Sequence, residues 1–580
     1  MVLPQHSCCT HFRRRNVFVC LLFTSVILTS LMCSLLRLSP VDNMFRTLSL
    51  KILTEHVIPF DNSHNFVALP YRPTQGLFPE NDMYIPRYTE PPRAIFTDAG
   101  RSSFYIENEK ASYNICDKIH VTIEARDHFN NKKTIGGDYF RGKVYSVASL
   151  ASQSTDGEIV DHNNGTYSAY FTLRWSGPMY IDVRLIHSSE AIAAMKRVQQ
   201  MYPVRMAYDG KFQLGDIIHT MRCHIELSSA NEICNFTDLR TGEPWFCEKP
   251  GDLPCSALMY HQGNLERARI DTSSQFTVEE QLFFKPKTII GVKGIFVNST
   301  GKTIRFVSII CLSFTDENCL CEESSIPCQP VKNSVKGNEE LAAGFYFNDS
   351  WYSNQCTLQN IDVFSAVANK CLENKRFYFY GDSTIRQWYE YLVANIPETT
   401  SVDITGVNKK AGPLIAHSEL HKVKLFYRHH AFPIRNTWMR VEDIKWTANE
   451  IDQLGADENV IICINMFAHF VPTSVDVYRS RLLTIKAALV RLYKRSPKTL
   501  VFFKSANTRE YSGAAGSVNY GDWPAFLLDV EMRKVMSDVP NLTVIDVWDM
   551  TNCHRTPEVI HPHPLVIREE IKVLLSLICG

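Results

Sequence analysis

The chain has 580 residues, 45% of them hydrophobic, and its 61 Lys+Arg balance its 61 Asp+Glu. That length predicts two or three domains with ordinary buried cores. The balanced charge leaves no net-charge argument for nucleic-acid binding, and no nucleic-acid partner is expected.

Arg13, Arg14 and Arg15 precede an uncharged apolar run from Val17 to Leu36. Those 20 residues suffice to cross a hydrocarbon core of ~30 Å at ~1.5 Å per residue. The arginines favour a cytosolic tail over 1–16, a transmembrane signal-anchor over 17–36 and a lumenal remainder, a single-pass type II arrangement. A cleaved signal peptide would have a shorter apolar core and a small-residue cleavage site, and would release a secreted protein. Residues 37–90 are polar and dotted with prolines, which predicts a stem.

Residues 91–201 read as short strands. Lys118–Glu124 and Met179–Leu185 alternate apolar and polar residues, and Asn163-Asn164-Gly165 turns the chain into a strand at Thr166–Leu173. This spacing predicts an all-β, immunoglobulin-like sandwich. The stretch Asp161–Tyr170 resembles part of a filamin-type repeat. Residues 202–335 have weak periodicity and hold Cys223, Cys234, Cys247, Cys255, Cys311, Cys319, Cys321 and Cys328. In a lumenal chain such clustering predicts a disulfide-stapled module rather than a zinc site, because the paired C-x2-C spacing with histidines is missing. N-x-S/T sequons at Asn164, Asn235, Asn298, Asn348 and Asn541 agree with a glycosylated lumenal chain.

From 336 to 580 strands and helices alternate. Strands are expected at Arg376–Tyr380, Val460–Asn465, Thr499–Lys504 and Leu542–Val547. Helices are expected at Thr384–Ala394, around Ser480–Arg495, at Trp523–Met536 and at Pro564–Ile578. The alternation predicts an α/β domain with a mostly parallel sheet.

Gly381-Asp382-Ser383 follows the first of these strands and opens a helix. A serine at that turn projects from the carboxyl edge of the sheet, where α/β proteins place their ligands, and the helix N-terminus offers amides to an oxyanion. An ordinary helix cap is the competing reading. A serine nucleophile needs a base, and the loop Glu558-Val-Ile-His561-Pro-His563 lies between the last strand and the last helix, at the same edge. His561 is the expected base and Glu558 the acid that orients it, with Asp546 and Asp549 as further candidate acids.

Gly381-Asp-Ser-Thr-Ile-Arg386 and the late His561-Pro562 resemble the neurexophilin and PC-esterase family, whose esterase domain is of the wider GDSL/SGNH-like type. The block Cys234–Cys247 with Leu253-Pro-Cys255, and Gly136-Gly-Asp-Tyr-Phe140, resemble the family's neurexophilin-like module. The resemblance spans residue 90 to the C-terminus. It implies a PC-esterase, SGNH-like domain over 336–580, a neurexophilin-like module over 202–335, and a lumenal glycoprotein of the Golgi membrane.

By the same resemblance Ser383 accepts an acyl group and passes it to a glycan hydroxyl on a glycoprotein, sialic acid included, or to water. Acetyl-CoA is a possible acyl donor, and no tightly bound cofactor or metal is expected. Asp382, Arg386, His430 and His469 become substrate or oxyanion residues, although Arg386 could equally pair with a helix neighbour and His469 could be a core residue. His430-Ala431-Phe432-Pro433 replaces the family's His-Gly-Pro-Pro-like stretch, and Phe467-Ala468-His469 its Gly-x-His. The competing class is a non-enzymatic adhesion ligand with a neurexin-like partner.

Overall fold

The computed structural model describes residues 95–580 apart from 228–230, 285–287, 300–308, 311–321, 324–327, 329–342, 355, 405–409, 435–437 and 512. The chain divides into two units, Met1–His64 and Asn65–Gly580, and all described residues lie in the second. The expected tail, signal-anchor and stem fall outside the described residues, as do Cys311, Cys319 and Cys321. Among the described residues no helix is long and apolar enough to cross a membrane.

Alternation in the N-terminal region produces two sheets that share one core. A four-stranded sheet runs Ser103–Ile106, Lys118–Glu124, Thr166–Thr172, Val160–Asp161. In Lys118–Glu124 the apolar Ile119, Val121 and Ile123 point inward and the residues between them outward, as a period of two requires. They pack with Val144, Met179, Ile181 and Val183 of a seven-stranded sheet built around Tyr139–Ser146 and Gly177–His187.

Sequence order and spatial order part company here. Thr288–Asn298, from the cysteine-rich stretch, pairs with Gly177–His187, and Gly344–Phe347, from the 336–580 segment, pairs with Ala151–Ser154. Five strands of the cysteine-rich stretch, between Ala207 and Asn264, form most of a six-stranded sheet, whose last strand, Met439–Arg440, comes from the C-terminal region. Cys223–Cys247 and Cys234–Cys255 staple this sheet. Cys328–Cys356 and Cys371–Cys579 tie the C-terminal region, the latter across 208 residues of chain, and Cys116 is also disulfide-bonded.

The C-terminal sheet has the strand order Thr399–Val402, Leu414–Ser418, Val423–His429, Arg376–Gly381, Val460–Asn465, Leu500–Lys504, Leu542–Ile545. The first two pairings are antiparallel and the other four parallel. Val460–Asn465 is buried at every position, as expected of a parallel strand covered on both faces. Ser383–Asn395 and Pro564–Cys579 cover one face through Ile385, Trp388, Leu574 and Leu575. Val475–Arg495 and Asp522–Met536 cover the other through Leu482, Ile485, Leu528 and Met532. The mixed α/β character, the disulfides and the strand–helix alternation expected from sequence are thus present.

Of the five sequon asparagines, Asn164, Asn235, Asn298 and Asn348 are exposed. Asn541 is half-buried, and its side-chain nitrogen donates to the Pro497 carbonyl (3.1 Å).

Candidate active site

The serine turn forms because three residues in sequence meet three separate demands. Gly381 ends its strand at φ 147°, and a Cβ there would lie 1.5 Å from the Asn465 carbonyl oxygen, so only glycine lets the two strand ends approach. Asp382 caps the helix: one carboxylate oxygen accepts from the Thr384 N–H (2.8 Å) and hydroxyl (2.8 Å), and the other from the Ala468 N–H (2.9 Å). It is fully buried, and that burial, partly offset by these bonds, raises its pKa. Asp382 is therefore a brace of the turn, clamping it to the loop after Asn465. Ser383 is the first helical residue, so its N–H is one of the amides a helix leaves without an intrahelical partner.

The Ser383 hydroxyl and His561 Nε2 lie 2.7 Å apart, although 178 positions separate them in sequence. The loop that brings them together is held on both sides. Gln387, one turn along the serine helix, donates to the Pro562 carbonyl (3.0 Å), and Asn507 donates to that of Ile560 (3.5 Å). His563 caps the last helix, its Nδ1 accepting from the Leu565 N–H (3.2 Å), which explains the second histidine without chemistry. Partial burial, followed by the positive field of Arg386, lowers the His561 pKa below its ordinary value. The shift favours the neutral, proton-accepting form of the ring.

The expected acid does not meet this base. Glu558 is buried, and its carboxylate accepts from Arg141 (2.6 Å) with Arg184 at 3.8 Å. Arg141 comes from the N-terminal region and also pairs with Asp522 (3.2 Å). The physical reason is charge: a buried guanidinium of that neighbouring sheet needs carboxylates, and Glu558 is one of the two that satisfy it. Asp546 and Asp549 also serve elsewhere, accepting from Arg533 (3.0 Å) and from the Ala343 N–H (2.9 Å) respectively. Among the described residues no carboxylate hydrogen-bonds to His561, and the arrangement is a dyad.

Arg386 follows its alternative reading. It pairs with Glu390 one turn along the helix (2.9 Å) and donates to the Lys410 carbonyl. His430 is fully buried, with its N–H donating to the Gly381 carbonyl (3.3 Å). Its N–H is consequently unavailable to an oxyanion. His469 is also buried, against His429 and His430. Asn465, Gln387 and His429 escaped sequence reasoning. The only signal for them was position, since each stands at or near a strand end or one helical turn from Ser383.

Fold and site together define a class: a mixed α/β protein of several disulfide-tied sheets, with a serine–histidine pair at the carboxyl edge of a largely parallel sheet. Two family models match in tandem. The one described as Neurexophilin covers residues 83–314, and the one described as NXPE family member 4-like, C-terminal domain, covers 351–579. The chain belongs to the neurexophilin/NXPE family. That membership and the disulfides make it a protein of the secretory pathway or the extracellular space. Among solved structures, one of invasin, described as a bacterial integrin-binding protein, is 12% identical, covering 58% of this chain and 60% of its own at a TM-score of 0.13, a likeness too slight to inform the fold.

Proposed function

We propose that the C-terminal region is an SGNH-like esterase domain that transfers an acyl group, acetyl above all, to glycans of glycoproteins in the Golgi lumen. The observation that carries this reading is the 2.7 Å contact between Ser383 Oγ and His561 Nε2 at the carboxyl edge of the sheet. Ser383 Oγ attacks the acyl carbonyl carbon as its proton passes to His561 Nε2. The Ser383 N–H, at the head of its helix, stabilises the tetrahedral oxyanion. Collapse expels the donor's leaving group, which takes the proton from His561. An acceptor hydroxyl then attacks the acyl-serine, gives its proton to His561, and on collapse the serine recovers it. A sugar hydroxyl as acceptor makes the protein an O-acyltransferase, with acetyl-CoA as donor and sialic acid as the favoured sugar. Water as acceptor makes it a glycan acylesterase.

The lowered pKa favours the base form of the ring at the start of the reaction. In this reading the N-terminal 17–36 segment anchors the chain in the Golgi membrane and the two-sheet region is immunoglobulin-like. A fluorophosphonate probe tests the serine: labelling of the wild type that vanishes in Ser383→Ala is expected, and an unlabelled folded wild type would sink the reading. Mass analysis of glycans from cells with and without the protein tests the acceptor, and unchanged O-acetylation would remove the transferase form. The match of residues 83–314 to the neurexophilin model supports a second role for that region, as an adhesion ligand of a neurexin-like partner. Binding of a Ser383→Ala variant to such ectodomains, unaltered from wild type, is the outcome that role requires.

A further inference from the structure

Three histidines that the proposed chemistry does not use meet beneath the serine turn. His429 ends the Val423–His429 strand, His430 follows it, and His469 lies four residues beyond the Val460–Asn465 strand. Their ring centroids are 4.2 Å (His429–His430), 4.6 Å (His429–His469) and 5.0 Å (His430–His469) apart. One ring nitrogen from each falls within 4.8 Å of the others. All three side chains are buried, His430 fully.

The tautomers follow from the partners. Nδ1 of His429 faces the His430 carbonyl (2.9 Å) and Nδ1 of His430 faces the Ala431 carbonyl (2.7 Å). A carbonyl only accepts, so each Nδ1 carries the proton and each Nε2 carries a lone pair. Both Nε2 atoms are buried with no hydrogen-bond partner. Burying two acceptors without partners is unfavourable unless something electrophilic satisfies them. Donation from the far ring nitrogen to a backbone carbonyl is also what fixes and strengthens a metal-bound imidazole.

We propose that His429, His430 and His469 hold one divalent transition-metal ion of the zinc class. An all-nitrogen set selects zinc, cobalt, nickel or copper, and lacks the oxygens that calcium and magnesium require. Three imidazoles leave a fourth position open. Tetrahedral bonds of ~2.0–2.1 Å place ligand nitrogens about 3.3 Å from one another, so small ring rotations draw the cluster in from its present spacing. Two guanidiniums act on His429, and each is paired with a carboxylate that offsets part of its charge: Arg481 with Glu243 and Arg386 with Glu390. The site adjoins the serine turn through two backbone bonds, His430 N–H to the Gly381 carbonyl and Ala468 N–H to Asp382. An ion there ties the loops after two different strands to the turn that carries Ser383.

The test is metal content of the full chain, purified from a secretory host, stripped with chelator, reloaded with Zn²⁺ or Co²⁺ and dialysed. Wild type is expected to retain one ion per chain, and the Co²⁺ form to show the visible absorption of a tetrahedral nitrogen site. His469→Ala should lose both the ion and the absorption, while Ser383→Ala and His561→Ala should keep both. Failure of the acyl-transfer reading would leave this result untouched, since no readout depends on turnover. A wild type that retains no stoichiometric ion overturns the proposal, as does a His469→Ala chain that binds as wild type does. Should His469→Ala not fold, the melting temperature of the stripped wild type decides: a rise on adding Zn²⁺ supports the site, and no rise overturns it.

Discussion

Four histidines stand at the same sheet edge in two opposed settings. His561 is exposed and faces a hydroxyl, whereas His429, His430 and His469 are buried and face one another. The imidazole pKa is lowered at His561 and, by burial, at His429 and His430, with His429 brought to about 4. The consequences differ. At an exposed site a lowered pKa favours the neutral, proton-accepting ring. In a buried cluster it sets protonation against folding. Solvent access, more than residue type, therefore separates a proton carrier from a structural centre.

The comparison breaks most completely if the turn that supports both settings is removed. Gly381→Ala would drive a methyl group into the Asn465 carbonyl, and a loss of about 4 kcal/mol or more is expected. Secreted yield and thermal melting measure it, and a normally folded variant would contradict the packing. Arg141→Ala comes next. It removes the cation that Glu558 and Asp522 share and leaves Glu558 only the more distant Arg184, a cost of about 3–5 kcal/mol. The melting temperature should fall sharply, and that of Glu558→Gln should fall less because Arg141 keeps Asp522.

His561→Ala probes the exposed setting alone. Labelling and turnover should drop by ~10²–10⁴-fold with the melting temperature nearly unchanged. A pH titration separates the two settings without mutation. Turnover should fall off at a pH lower than the ordinary histidine pKa of ~6.5, because the His561 pKa is lowered. His429 and His430 take up protons less readily folded than unfolded, so their contribution to stability is complete above ~6.5. It is then lost as pH falls toward the folded-state value of about 4 for His429. A melting temperature that is flat from pH 7 to pH 5 would refute that link. The smallest effect is expected from Gln387→Ala, which removes one bond to the His561 loop, a loss of about 0.5–1.5 kcal/mol. Turnover should fall a few-fold with binding little changed.

Much of this molecule is written locally. Period-two alternation located Lys118–Glu124, and the continuous apolar run located Val460–Asn465, each with the observed bounds. Strand followed by Gly-Asp-Ser and a helix put Ser383 at the sheet edge, and loop order put His561 near it. These readings held because side-chain periodicity and turn chemistry are properties of adjacent residues. The antiparallel strands Thr399–Val402 and Leu414–Ser418 left no comparable signal, being short and largely exposed or half-buried.

What tertiary structure alone decided are the partners of charged and polar groups. The sequence offered Glu558 to His561 on spacing, yet a guanidinium 417 positions away holds it. It left Arg386 between substrate and helix neighbour, and Glu390 takes it. It read His430 and His469 as separate substrate or oxyanion residues and passed over His429, and parallel pairing with the Arg376–Gly381 strand brings all three together. Electrostatic partners are chosen by proximity and desolvation in three dimensions, and neither is encoded by spacing along the chain. The sequence determined where Ser383 and His561 stand, and the fold determined which partners the charged groups around them take.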